Sequence, residues 1–129
     1  MRAMAERNFL QKDSLKFYTS KLKTFSLREN SKYAQALTNK YSSQLSFLNR
    51  DFTAANRQAN AGLSYFKTHN FTEDEADIYR ILGKIELLND KKDLAYGFFR
   101  KAQMLYDTCE DLTNPDKNHL ALNDLAYLY

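Results

Sequence analysis

Tyr79-Arg80-Ile81-Leu82-Gly83, followed by Ala95-Tyr96-Gly97-Phe98-Phe99-Arg100-Lys101-Ala102, is the stretch that decides the fold. Tyr79, Leu82 and Gly83 share one helical face, and so do Ala95, Phe99 and Ala102, because steps of three and four residues return to the same side of a helix. Asp90 and Lys91 break the pattern between them. Two helices joined by so short a connection are expected to be antiparallel neighbours.

The same reading extends in both directions. Upstream, His69-Asn70-Phe71 reads as a turn and Thr72-Glu73-Asp74-Glu75 as a capping box, with the Thr72 hydroxyl and the Glu75 carboxylate satisfying each other's backbone amides. The acids at 73, 74, 75 and 77 suit the positive end of a helix dipole and call for no metal. Residues about 52–67 form a helix with Phe52, Ala55, Ala59, Gly62 and Phe66 on one face, and Asn49-Arg50-Asp51 is the break before it. Residues about 31–49 form another, capped by Ser31, with Tyr33, Leu37, Tyr41, Leu45 and Leu48 as its apolar stripe. Residues about 9–27 read as a basic helix whose stripe is Leu15, Tyr18, Leu22 and Phe25. Downstream, the pattern predicts a helix to about Cys109, a polar stretch over 110–114, and a last helix capped by Asn114 with Pro115 in its first position.

Composition agrees with long helices. Among 129 residues there are three glycines and one proline, with nine Tyr, nine Phe and no Trp. The length is that of one domain. No apolar run is long enough to span a membrane, and the start, Met1-Arg2-Ala3-Met4, lacks the apolar stretch of a secretory signal. The single cysteine, Cys109, forms no internal disulfide, and a cytoplasmic location is the expectation. The net charge of +3 divides unevenly: residues 1–70 carry 12 Lys/Arg against 4 Asp/Glu, and residues 71–129 carry 7 against 12. A chain so divided can attract its own kind or an acidic partner.

Moving along by 40 residues superimposes the two hairpins: Phe47-Leu48-Asn49 falls on Leu87-Leu88-Asn89, Ala55 on Ala95, Ala59 on Phe99 and Gly62 on Ala102. After 43 residues Leu122, Leu125 and Ala126 fall on Tyr79, Leu82 and Gly83. On these residues the chain resembles the tetratricopeptide repeat (TPR) family, whose signature places an aromatic, Leu-Gly and then Ala-x-x-x-Phe at this spacing. The 40–43-residue interval is similar to the longer repeats of kinesin light chains and of bacterial peptide-receptor regulators. Glu86 departs from the aromatic that closes the first half of the motif, and Asn39, Ser42 and Ser43 depart from it in the earlier repeat.

The resemblance implies an all-α, right-handed superhelix of antiparallel helix pairs, about five helices. It divides the chain into a basic N-terminal helix over 1–30 and TPR-like repeats over 31–129 (about 31–70, 72–112 and a half-repeat at 115–129). It implies a protein- or peptide-binding module, part of a larger regulator or scaffold, with no cofactor, no metal and no enzymatic activity. The family's concave groove would fall on Lys40, Gln44 and Phe47, on Asp77, Arg80, Lys84 and Leu87, and on Asn123 and Tyr127, with Leu37 and Leu120 beside them. Such a groove suits an extended peptide: amides hold its backbone, and Lys40, Arg80 and Lys84 its carboxylates. The terminal-carboxylate clamp of chaperone-binding relatives is not assigned, because Gln44 and Ile81 stand where those relatives carry Asn.

Catalytic signals are absent from the pattern. His69 and His119 have no companions at metal-ligand spacing. Cys109 lies beside Glu110 and Asp111, the wrong charge to activate a thiolate. There is no glycine-rich phosphate loop. Two alternatives to peptide binding remain. One is nucleic acid, on the basic N-terminal half where Lys and Arg alternate with Phe9, Phe17, Tyr18, Phe25 and Tyr33. The other is self-association through the last helix, around Leu125 and Leu128.

Overall fold

The computed structural model describes residues 2–29, 31–109 and 117–127, and among these it is all-α: six helices and no strand. They are α1 (Arg2–Glu29), α2 (Lys32–Leu48), α3 (Phe52–Thr68), α4 (Thr72–Leu88), α5 (Lys92–Thr108) and α6 (Lys117–Tyr127). Five follow residue 31. The N-terminal helix begins at Arg2, well before residue 9. The expected cap at Asn114-Pro115 and residues Leu128 and Tyr129 lie outside the described residues, as do the side chains of Phe9, His119 and Tyr127.

Helices α2 to α5 are each 17 residues long and start at 32, 52, 72 and 92. Three-residue connections separate them, and the middle residue of each is left-handed: Arg50 (φ 62°), Asn70 (φ 61°) and Asp90 (φ 59°). The residue that follows donates its amide back across the turn. Asp51 N–H bonds Ser46 O, Phe71 N–H bonds Phe66 O, and Lys91 N–H bonds Glu86 O, each at 2.9 Å. Arg50 and Asp90 add the inner bond, to Phe47 O and Leu87 O. This is the Schellman arrangement, which satisfies the carbonyls that a helix end leaves open. Glycine is the usual left-handed residue there; a side chain with a Cβ costs on the order of 1 kcal/mol in that conformation.

The turn also corrects the expected capping box. Thr72 is already helical, Phe71 holds the N-cap position, and no side chain caps that end. The helix starts one residue early because Phe71 is fixed from behind: its amide reaches Phe66 O, and its ring meets the Phe66 ring edge-on at 6.1 Å. The Ser31 cap does form, with its hydroxyl accepting from Ala34 N–H at 3.1 Å.

The chain divides into two compact units, Met1–Tyr65 and Phe66–Tyr129. In the first, α1 packs on α2. Helix α2 meets α3 through Phe47 against Phe52, Tyr33 against Tyr65, and the Ser46 hydroxyl 2.7 Å from the Gln58 amide. Ala55, Ala59 and Gly62 are buried, as their spacing predicts, while Phe52 of the same row is half-buried; Phe66, also buried, belongs to the second unit. The stripes expected for α1 and α2 are not the buried ones. On α2, Ala34, Ala36, Lys40 and Ser43 are buried, while Tyr33 is exposed and Leu37, Tyr41, Leu45 and Leu48 are half-buried. On α1, Leu15, Thr19 and Leu22 are half-buried and Ser26 is buried; Tyr18 and Phe25 are 59% and 48% exposed. On α2 the buried row follows Ala34, Ala36 and Ser43, because small residues allow closer helix approach than rings do.

The second unit has the stronger core. Ile78, Tyr79, Leu82 and Ile85 of α4 are buried, as are Ala95, Phe99, Ala102 and Tyr106 of α5. Gly83 is the point of closest approach. A Cβ there would lie 2.5 Å from Phe99 Cε1 and 2.6 Å from its Cδ1, so the Phe99 ring presses on the bare α4 backbone. Helix α6 packs on α5 and buries Ala121 completely.

Candidate functional site

Glu73, Asp77, Arg80 and Lys84 step along α4 by four, three and four residues, which places them in one stripe. Lys117 and Asp124, seven apart on α6, likewise share a face. The two rows interlock. Lys117 Nζ lies 2.8 Å from Asp77 Oδ2 and 3.5 Å from Glu73 Oε1. Arg80 Nε donates to Asp124 Oδ2 at 2.7 Å. From α5, the Tyr106 hydroxyl donates to Asp77 Oδ1. Asp77 thus holds three helices together: its own, α5 through Tyr106 and α6 through Lys117.

These groups are partly withdrawn from water, and their acidities respond. Burial raises the Tyr106 phenol well above its usual value, and the charge and hydrogen bond of Asp77 raise it further. Burial likewise pushes Tyr79 up to about 12, helped by its hydrogen bond to Glu75. For Arg80, burial disfavours the cation, but the hydrogen bond and charge of Asp124 outweigh it and the net shift is upward. Lys84 moves the other way. Burial lowers its pKa, the positive charge of Arg80 lowers it further, and Asp124 compensates only in part. Lys84 makes no hydrogen bond or ion pair among the described residues.

The expected groove residues therefore differ in kind. Asp77 and Arg80 are drawn into the seam between α4 and α6 and are occupied by it. Lys84 and Leu87 are half-buried on α4, and Asn123 is exposed on α6. Tyr127 closes α6, with its side chain outside the described residues. In the first unit, Lys40 is 4% exposed, with its ammonium 5.4 Å from the Tyr41 ring centre. Gln44 is half-buried, and so is Phe47, whose ring centre lies 5.6 Å from that of Phe52.

Lys117, Asp124 and Tyr106 were not among the expected site residues. A signal for the first two exists in the sequence. Opposite charges stand one repeat apart, Asp77 with Lys117 at 40 residues and Arg80 with Asp124 at 44. Charges at that interval meet when equivalent helices lie side by side.

The described helices include none long and apolar enough to cross a membrane. No family model matches the chain, and neither a curated protein nor a solved structure matches it significantly.

Proposed function

We propose that the chain is a protein- or peptide-binding helical-repeat module of tetratricopeptide type, and that the α4/α6 face of its second unit takes an extended peptide carrying a carboxylate. The observation that carries this reading is Lys84. It is a cation held partly out of water, beside a second cation, with no direct counter-ion among the described residues. Such a group favours an incoming carboxylate, which restores the interaction that burial removed. Leu87, one helical turn on, supplies an apolar contact, and Asn123 an amide for the peptide backbone. Arg80 is already paired with Asp124, so its part is to hold the two helices in position. Function as part of a larger regulator or scaffold fits a module of this kind.

The test is selection from a displayed random-peptide library on the wild-type chain, then titration of the best peptide against Lys84→Glu. The expected result is enrichment of acidic peptides and an affinity loss of about tenfold or more in the variant, equivalent to about 1.4 kcal/mol, at unchanged helicity. Failure to enrich any sequence, or equal affinity for both proteins, overturns the reading.

A further inference from the structure

Helix α6 is fastened by different means from those that join α4 to α5. Tyr79, Leu82 and Ile85 of α4 and Ala95, Phe99 and Ala102 of α5 are buried, so that hairpin closes on an apolar seam. Helix α6 packs on α5 and reaches α4 as well. Its Lys117, Ala121 and Asp124 step by four and three residues and share one stripe. Ala121 is completely buried, and it is the only buried side chain among those described on α6; Leu125 is half-buried.

The residues on either side of Ala121 carry opposite charges, and both are engaged by α4. Lys117 meets Asp77 and Glu73, and Asp124 meets Arg80. One buried methyl group supplies little hydrophobic attachment, so the ion pairs decide where α6 sits. The paired side chains are only 9–18% exposed, and removing one partner leaves the other charged and poorly hydrated. Helices owe most of their stability to packing, so an α6 that leaves its seat also loses its helix. Elements with few buried apolar contacts open locally while the rest of a domain stays folded.

The position of α6 bears on the site proposed above. Asn123 is the residue before Asp124, and the Asp124 charge partly offsets the effect of burial and of Arg80 on Lys84. We propose that α6 is a clasp held by its Lys117 and Asp124 ion pairs, that it opens from α4 and α5 as a unit, and that the peptide site exists only while it is closed. A peptide that bridges Lys84 and Asn123 binds the closed form alone and therefore draws the clasp shut. The consequence for peptide rests on the peptide-binding reading; the clasp itself does not.

Hydrogen exchange read by mass spectrometry on the free chain tests the clasp without any ligand. In wild type the amides of 121–127 are expected to exchange at least about tenfold faster than those of 78–88 and 98–108. Asp124→Asn, nearly the same in shape, should speed the α6 amides by about a further tenfold and leave the α4 and α5 amides at their wild-type rates. Lys117→Met should act in the same direction. Exchange of 121–127 as slow as that of α4 overturns the proposal. So do α6 rates that neither substitution changes, or a rise shared equally by all three helices. The acidic peptide selected on wild type should then slow exchange at 121–127 and bind Asp124→Asn more weakly. A Lys84-dependent peptide that leaves α6 exchange unchanged overturns the link between clasp and site, whereas failure to select any peptide counts against the binding reading and leaves the free-chain result to decide the clasp.

Discussion

Helices α1 and α5 stand in the same register, residues 12–28 on 92–108, and bury different chemistry. Helix α5 turns Ala95, Phe99, Ala102 and Tyr106 inward, while α1 turns Leu15, Thr19, Leu22 and Ser26 inward and leaves Phe17, Tyr18 and Phe25 in water. The inner face of α1 even carries a buried Thr19 hydroxyl with no hydrogen-bond partner among the described residues. Position in the repeat thus decides burial before side-chain size does. A helix can have abundant aromatic surface and contribute little of it to the core of its own molecule.

Two phenylalanines give the largest expected contrast. Phe99→Ala removes a ring that is 1% exposed and should cost about 3–5 kcal/mol in urea unfolding. Phe25→Ala, on the exposed side of α1, should stay within about 0.5 kcal/mol. Equal losses would erase the difference between the two helices.

Two glycines sharpen the comparison within the hairpin. Gly83→Ala drives a methyl group into the Phe99 ring and should destabilise by about 1–3 kcal/mol. Gly97→Ala meets nothing within 4 Å and should stabilise by about 0.5–1 kcal/mol through helix propensity. Opposite signs in thermal melts are the expected outcome; the same sign for both would mean that Phe99 yields to the added methyl.

The smallest effect is a dependence on alkaline pH contributed by Tyr79 and Tyr106. Tyr79 is raised to about 12 and Tyr106 is also raised, in both cases chiefly by burial. A raised pKa means the fold prefers the neutral phenol. That contribution is complete below pH 10, the ordinary tyrosine value, and is lost as pH climbs toward the folded pKa. Stability should fall from about pH 10 to about 12, and Tyr79→Phe should flatten part of the decline. An unchanged slope in that variant would remove Tyr79 from the account.

Much of this architecture was readable in the sequence. The breaks at 49–51, 69–71 and 90–91 and the 40-residue shift mark the helices and their repeat. Local spacing is enough for that, because each break contains residues that end a helix. The capping box failed by one residue because the start of α4 is set by Phe71 bonding back to Phe66, a contact made by the preceding helix and not by the Thr72 motif. The α1 stripe failed for a different reason. Leu15, Tyr18, Leu22 and Phe25 form a good apolar row, and periodicity does not reveal that the row faces α2 by only its Leu15/Leu22 edge. The candidate site was legible in half. Asp77, Arg80 and Lys84 share a stripe at short range, but their partners Lys117 and Asp124 come from 40 and 44 residues away. That interval becomes meaningful only once equivalent helices are known to lie side by side.

Which face of α1 is inward decides the contrast between α1 and α5, and a cysteine scan measures it directly. On a Cys109→Ser background, single cysteines at 14–28 would be labelled with a thiol reagent in dilute, monomeric protein. Protection at 15, 19, 22 and 26 with fast labelling at 17, 18, 21 and 25 is the result the register requires. Protection at 18 and 25 with fast labelling at 19 and 26 would contradict it, and would return the α1 aromatics to the core.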